Sequence, residues 1–398
     1  MFIRLLKGFA LSAISWPLGF VFAEPLMLTV NSESAILINA DTGAVLYEKK
    51  ADVLRYPASV TKLATATYAL KQTGDQLNTM IVADQDSIGS VTEEAKRRSN
   101  YTLPAYWLVP GASHIGIKKG EELSLRVLMY GLMLASGDDA ANVIAQHVSG
   151  TVPNFMTDLN AYLKELGCQN TVFYNPHGLH HPKHQTTARD MAIVMREALK
   201  NPTLCEIMGT VQYKRPKTNK QESTIMVQTN RLLRKGKFYY DKAIGGKTGY
   251  YSQAGHNLAV AAKDGDRTLI AVLLKCKERD EVFRDATALF ESAFNQTKVQ
   301  RILLKTGPQT FTCEVPGASD SLKTYIKEDV AISYYPAEEP HVKCLLSWDK
   351  INSPVEKDQR VGELRLQTAD GQVLQTVPLF ASEELSSTWL WSIKHVFG

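Results

Sequence analysis

Three short polar motifs lie far apart in the chain, and each belongs to a different kind of local structure. Ser59-Val60-Thr61-Lys62 opens a helix, Ser136-Gly137-Asp138 interrupts a run of helical spacing, and Lys247-Thr248-Gly249 sits on a probable strand. Intervals of 77 and 111 residues separate Ser59, Ser136 and Lys247. Any fold that uses them together must hold a helix start, a helix junction and a strand in one place.

Ser59 and Lys62 are three apart on a helix, so their side chains share a face. A serine hydroxyl is a poor nucleophile unless a base lies within hydrogen-bond reach. Lysine serves as that base only when burial or a second cation destabilises its ammonium. Lys247 is a candidate for the second cation. The helix start at Ser59 also points backbone N–H groups toward developing negative charge. Gly245, Gly246 and Gly249 allow a close backbone approach along the strand, Thr248 adds a hydroxyl donor, and Lys247 offers a positive charge to a carboxylate. Each motif is weak alone; all three in this order are specific.

The surrounding text gives each motif its context. The hairpin signal Asp41-Thr42-Gly43 lies between β-like runs, and the helix over SVTKLATATYALKQTG follows Pro57. Residues 84–120 read as a long polar loop carrying Arg97, Arg98, Tyr101, Tyr106 and Trp107, either a lid or partner surface or a solvated loop. Helical spacing covers 123–148, 154–166, 187–199 and 281–294, and strand-like alternation covers 245–262 and 267–275. Beyond about Val299 only short β-like runs appear, which predicts a small all-β module. A length of 398 residues accommodates two or three domains. The net charge of +4 is too mild to argue for nucleic acid.

Both ends depart from this ordinary composition. Residues 1–23 carry Arg4 and Lys7 and then an uncharged run to Ala23, a secretory signal cut before Glu24; an uncleaved N-terminal anchor is the alternative. Glu383 to Gly398 puts Leu385, Trp389, Ile393 and Val396 on one helical face. That suits a helix lying in a membrane interface or one docked on its own domain. Five cysteines are no disulfide scaffold. Cys313 and Cys344 are the only plausible pair, and free thiols are favoured for most of the five.

With these residues in hand, the chain resembles the low-molecular-mass penicillin-binding proteins that act as D-alanyl-D-alanine carboxypeptidases. The matching stretches are SAILINADTGAVLYEKKADVLRYPASVTKLATA, LMYGLMLASGDDAAN, FYNPHGL followed by TTARDMA, and GGKTGYYSQAGHNLAVAA. The resemblance runs from about Glu33 to the end. It implies an α/β (α+β) catalytic domain of the β-lactamase/transpeptidase type, an antiparallel sheet flanked by helices, with a small all-β C-terminal domain. The implied division is a signal at 1–23, a peptidase domain at 24–297, a β domain at 298–380 and a membrane-anchor helix at 381–398. It implies Ser59 as acylated nucleophile, Lys62 as its proton acceptor and Ser136 as a proton carrier. Lys247 and Thr248 would hold the terminal carboxylate of the substrate, Gly249 and Asp138 would belong to the substrate-binding set, Tyr250 would join Ser59 in the oxyanion hole, and Arg284 would help position the carboxylate end. It implies removal of the terminal D-alanine from peptidoglycan pentapeptides at the outer face of the cytoplasmic membrane, and trapping by β-lactam antibiotics. No cofactor or metal is needed.

Two departures stand out. The family's second motif ends in asparagine, and here it ends in Asp138. An ionised carboxylate cannot donate to a substrate carbonyl, and paired with Lys62 it would favour the charged lysine. The 84–120 segment is also longer than the family norm. Rival readings are a D,D-endopeptidase cutting cross-links, which shares every motif, and a non-catalytic envelope-binding protein, motivated by Asp138. A β-lactamase is disfavoured, since no extra deacylating carboxylate can be assigned. His177, His180, His181 and His184 cluster in NPHGLHHPKH, but no Cys or carboxylate joins them. The basic run Arg231, Arg234, Lys235, Lys237 and Lys242 either steers anionic peptides or is a solvated face.

Overall fold

The structure is a computed structural model and describes residues 26–387, apart from 75 and 370. The signal expected over 1–23 and residues 388–398 of the expected terminal helix lie outside the described residues. The chain divides into two compact units, one ending at Asn295 and the other including everything from Gln296 onward.

The first unit begins with a hairpin of β1 (Ser34–Asn39) and β2 (Val45–Lys49). A 3-10 turn at Ala58–Val60 then runs into α1 (Thr61–Thr73). Next come β3 (Met80–Val82), α2 (Glu93–Arg98) and β4 (Glu122–Ser124), with β3 and β4 paired. Five helices follow: α3 (Leu125–Met133), α4 (Asp138–Ser149), α5 (Val152–Glu165), α6 (Ala188–Ala198) and α7 (Pro202–Gly209). A ribbon of β5 (Gln212–Arg215) and β6 (Thr224–Val227) leads to β7 (Ala243–Tyr251), β8 (Gly255–Asp264), β9 (Arg267–Cys276) and α8 (Arg279–Phe294). Side chains cap several of these helices: Ser124, Thr151, Thr187 and Asn201 each accept a first-turn N–H.

The main sheet has the order β2-β1-β9-β8-β7 and is antiparallel throughout. β9 pairs with β1, so the start and the end of this unit meet at the sheet centre. The stretches Asn257–Ala262 and Leu269–Leu274 are wholly buried. Both faces of β8 and β9 are therefore covered, which is why they read as near-continuous apolar runs rather than the alternation expected. The run expected as one strand over 245–262 is two strands joined by a turn at residues 252–254. α1 is buried over its first ten residues, and its small Ala and Thr side chains let neighbours close in on every side. The segment expected as a loop at 84–120 contains α2, and Ser90 bridges Leu108.

In the second unit β10 (Val299–Leu304) pairs with β13 (Val330–Tyr334). A five-stranded antiparallel sheet has the order β11 (Gly307–Glu314), β12 (Ser321–Ile326), β16 (Val373–Ala381), β15 (Arg360–Thr368) and β14 (Val342–Trp348). Cys313 on β11 and Cys344 on β14 stand on opposite edges of that sheet and are unbridged; all five cysteines are free. One expectation needs correction. Residues 381–387 are not the start of a helix: Ala381 ends β16, Leu385 bridges Val355, and Ser387 bridges Ala318. Leu385 is buried in the β core, so its apolar side chain serves that domain rather than a membrane face.

Candidate active site

Ser59 sits in the 3-10 turn that precedes α1, and the sheet anchors that turn. The buried Asn257 side chain on β8 donates to the carbonyls of Tyr56 and Pro57, at 2.9 and 3.0 Å, and accepts from the Lys275 N–H at 2.7 Å. Ala58 takes a left-handed φ of 49° that a non-glycine residue adopts only under constraint. Two glycines supply the constraint. A Cβ on Gly178 would lie 1.9 Å from the Ala58 carbonyl oxygen, and one on Gly249 would lie 2.8 Å from the Pro57 oxygen and 2.9 Å from the Ser59 nitrogen. The turn that carries Ser59 is thus clamped between the 175–178 loop and β7.

Lys62, one helical turn on, is fully buried, and its ammonium meets three acceptors. These are Ser59 Oγ at 2.9 Å, Asp138 Oδ1 at 2.5 Å and the His177 carbonyl at 2.7 Å. Ser136 lies between α3 and α4 with a φ of 60° and is buried. Its Oγ accepts from Lys247 Nζ at 3.0 Å, so its bond is to Lys247 rather than Lys62. Lys247, fully buried on β7, also donates to its neighbour Thr248's carbonyl at 2.9 Å. Burial, with the nearby Lys62 charge, pushes Lys247 well below the usual lysine range. Thr248 Oγ1 lies 2.8 Å from Thr229 Oγ1.

These groups open on a cleft of about 530 Å³. Ser59, Ser136, Thr248, Gly249 and Tyr250 line it, as do Ser113, Thr229, Asn257, Arg279 and Phe283. Tyr250 stacks on His256 at the rim, with ring centroids 4.2 Å apart. Arg284, expected to position the carboxylate, is not among the lining residues; it pairs with Glu281 and reaches toward the Phe238 ring. Arg279 stands at the cleft instead. α8 begins at Arg279, two residues before the start expected from sequence, and five residues along a helix turn a side chain well away from the cleft.

Several supporting residues have no sequence signal of their own. Asp139 accepts from the N–H groups of Ile115, Gly116 and Ile117, and the Asp138 N–H donates to the Ser113 carbonyl. Together they hold the 113–117 stretch at the cleft. Asn142 donates to the carbonyls of Ser87 and Tyr106, so α4 holds the 84–120 segment in place. Lys96 of α2 turns inward, donates to the Ala105 and Trp107 carbonyls, and is pushed down to about 8 by burial. The segment is neither a free loop nor an open lid.

The histidine cluster is committed to backbone and ring contacts. His177 Nδ1 accepts from the Leu179 N–H, and its Nε2 faces the Tyr106 carbonyl. His184 Nδ1 accepts from the Tyr174 N–H, which leaves Nε2 to donate to Thr61 Oγ1. His181 stacks on Tyr174, and His180 meets the rings of Tyr56, Tyr101 and Tyr251. Among the described residues no group of three His, Cys, Asp or Glu side chains could hold a metal ion. Most of the basic run is matched by acids: Arg231 and Lys237 pair with Asp280, and Lys242 with Asp264 and Glu291.

A serine bonded to a buried lysine at a helix start, facing a second serine–lysine pair across a cleft, defines a serine acyl-transfer hydrolase. The comparisons give the family. The family described as D-alanyl-D-alanine carboxypeptidase matches residues 21–278, and the C-terminal domain of penicillin-binding protein 5 matches residues 314–387. The D-alanyl-D-alanine carboxypeptidase DacF of Bacillus subtilis is 30% identical over 375 residues, covering 93% of this chain and 90% of that protein. Penicillin binding protein 5 from Haemophilus influenzae superposes with a TM-score of 0.60 at 26% identity, over 90% of this chain and 99% of its own. A cysteine-to-alanine mutant of the Streptomyces K15 DD-transpeptidase superposes with a TM-score of 0.58 at 28% identity, over 67% and 99%. The chain belongs to the D-alanyl-D-alanine carboxypeptidase family, the serine hydrolases of the low-molecular-mass penicillin-binding group.

Proposed function

We propose that this chain removes the terminal D-alanine of peptidoglycan pentapeptides through an acyl-enzyme on Ser59. Lys62 takes the hydroxyl proton as Oγ attacks the carbonyl carbon of the D-Ala-D-Ala bond. Ser136 carries a proton to the departing amine, and water then releases the shortened peptide. Lys247 and Thr248 receive the terminal carboxylate, with Arg279 rather than Arg284 as the arginine at that end. The N–H groups of Ser59 and Tyr250 face the developing oxyanion, and β-lactams are held at the same serine. The observation that carries this reading is the pair of bonds Lys62–Ser59 and Lys247–Ser136 in one cleft.

The test is labelling with a fluorescent penicillin, then incubation with a pentapeptide and with a cross-linked muropeptide. The wild type labels and frees D-alanine from the pentapeptide, and Ser59→Ala does neither. Cross-link cleavage without release from the pentapeptide would make the enzyme an endopeptidase. A folded, unlabelled wild type would leave only a binding protein.

Export through residues 1–23 and peripheral membrane attachment through the last residues complete the proposal. No helix among the described residues is long and apolar enough to cross a membrane. Because Leu385 and Ser387 are bridged into the β domain, the truncation that tests attachment ends the chain after Ser387. That protein should leave the membrane fraction and keep its activity; retention on the membrane overturns the assignment.

A further inference from the structure

The carboxylate of Asp138 is the feature of this site that the family pattern does not supply. Lys62 and Asp138 are both buried and meet at 2.5 Å. The three N–H groups of a lysine ammonium are matched by three acceptors: Asp138, Ser59 Oγ and the His177 carbonyl. While charged, Lys62 has no lone pair to turn toward Ser59. An asparagine here would present a neutral oxygen to Lys62 and keep an N–H group to donate; the carboxylate presents a full charge and no donor.

We propose that Asp138 is a positioning residue acting through Lys62: its carboxylate pins Nζ and holds the ammonium form, so the Lys62–Asp138 pair sets the pH at which Ser59 becomes acylable. The inference rests on Ser59 as nucleophile and Lys62 as its base. Before attack, one proton leaves the pair for solvent. The free Nζ lone pair then takes the Ser59 hydroxyl proton as the Oγ–C bond forms. That proton passes to the leaving nitrogen as the C–N bond breaks, so the pair finishes acylation as it stood after the first loss.

The groups around the pair act in known directions. Burial pushes Lys62 down and Asp138 up, and their mutual contact opposes both shifts. The Lys62 charge in turn pushes Lys247 on β7 down, and the Asp138 charge supports the ammonium of Lys96 on α2. Asp139 on α4 adds negative charge, though its oxygens are already committed to backbone N–H groups. His177 and His184 both lie below the usual histidine range and so stay neutral where the enzyme works. Removing the charge at 138 therefore leaves burial acting on Lys62 with its main counterweight gone.

The experiment measures the acylation rate of the full chain by a fluorescent penicillin from about pH 5 to about pH 10, for wild type and Asp138→Asn. The rise with pH should have its midpoint at least about one unit lower in the variant, so that below both midpoints the variant acylates about tenfold faster or more. Asp138→Glu, which keeps the charge, should retain the wild-type limb. Coincident midpoints in wild type and Asp138→Asn, or a shift to higher pH, overturn the proposal. Should the variants misfold, lysine labelled with ¹³C at Cε gives the answer in the wild type. Lys62 should lose its proton at the midpoint of the acylation limb and move in step with the Asp138 carboxyl resonance; independent titrations overturn the proposal. Labelling of Ser59→Ala would instead sink the parent reading, so the two failures are distinct.

Discussion

His184 should make the catalytic unit acid-sensitive, and the structure sets the size of the effect. The ring is buried and stacked on Phe173 at 4.7 Å, Nδ1 accepts the Tyr174 N–H at 3.0 Å, and Nε2 faces Thr61 Oγ1 at 2.9 Å. A second proton would go on Nδ1, where a backbone N–H already points at it. Burial and the neighbouring His181, His180 and Lys62 push the group from 6.5 down to about 3. The unfolded chain therefore binds the extra proton below pH 6.5 while the folded one does not until about pH 3. The penalty is absent at neutral pH, grows as the pH falls through 6.5, and levels off below about 3. At 1.36 kcal/mol per pH unit, it reaches about 2 kcal/mol at pH 5. Among the described residues every α-helix precedes Asn295, so ellipticity at 222 nm reports this unit and not the β domain. Urea titrations of wild type and His184→Gln from about pH 7 to about pH 5 should diverge. The variant carries a constant cost for its lost bonds, but its stability should fall about 2 kcal/mol less than the wild type's across that range. The other histidines are common to both proteins, so their contributions cancel in the difference. Curves that fall in parallel, within about 0.5 kcal/mol, would show that His184 is not held neutral by its contacts.

Two further substitutions probe the frame around Ser59. Gly249→Ala puts a Cβ within 2.9 Å of the Ser59 nitrogen, so β7 must retreat from the turn; penicillin acylation should drop about tenfold or more while the ellipticity stays unchanged. Asp139→Asn removes the charge that three consecutive N–H groups share, and should lower stability by about 2–3 kcal/mol, read from the urea midpoint.

Much of the site was legible because its chemistry needs particular atoms at particular spacings. Ser59 and Lys62 had to be three apart on a helix to touch, and they touch at 2.9 Å. Lys247 was read as a cation near Ser59 and Lys62, and burial on β7 brings it to Ser136. The arginine differs for a geometric reason. Arg284 was placed by resemblance alone, and it lies five residues beyond Arg279 on α8, on a different face of the helix, so Arg279 rather than Arg284 meets the cleft. Sequence showed the proximity of the four histidines but not their contacts, which go to backbone groups, the Thr61 hydroxyl and aromatic rings. Residues 383–387 matched a helical wheel, yet pairing with Val355 and Ala318 made them part of a β domain. Five residues of amphipathic text cannot by themselves distinguish the two.

By itself the sequence determined the spacing that lets Ser59 meet Lys62, the strand motif, most of the longer helices and strands, and the family resemblance. Those are matters of residue type and local spacing. Only the tertiary structure decided what Asp138 touches, which arginine reaches the cleft, and that the 84–120 segment is fastened through Lys96, Asn142 and His177. Each of those outcomes depends on contacts between residues far apart in the chain. Their energies come from burial and from matching every donor to an acceptor, and no local pattern records which distant carbonyl will be there to match.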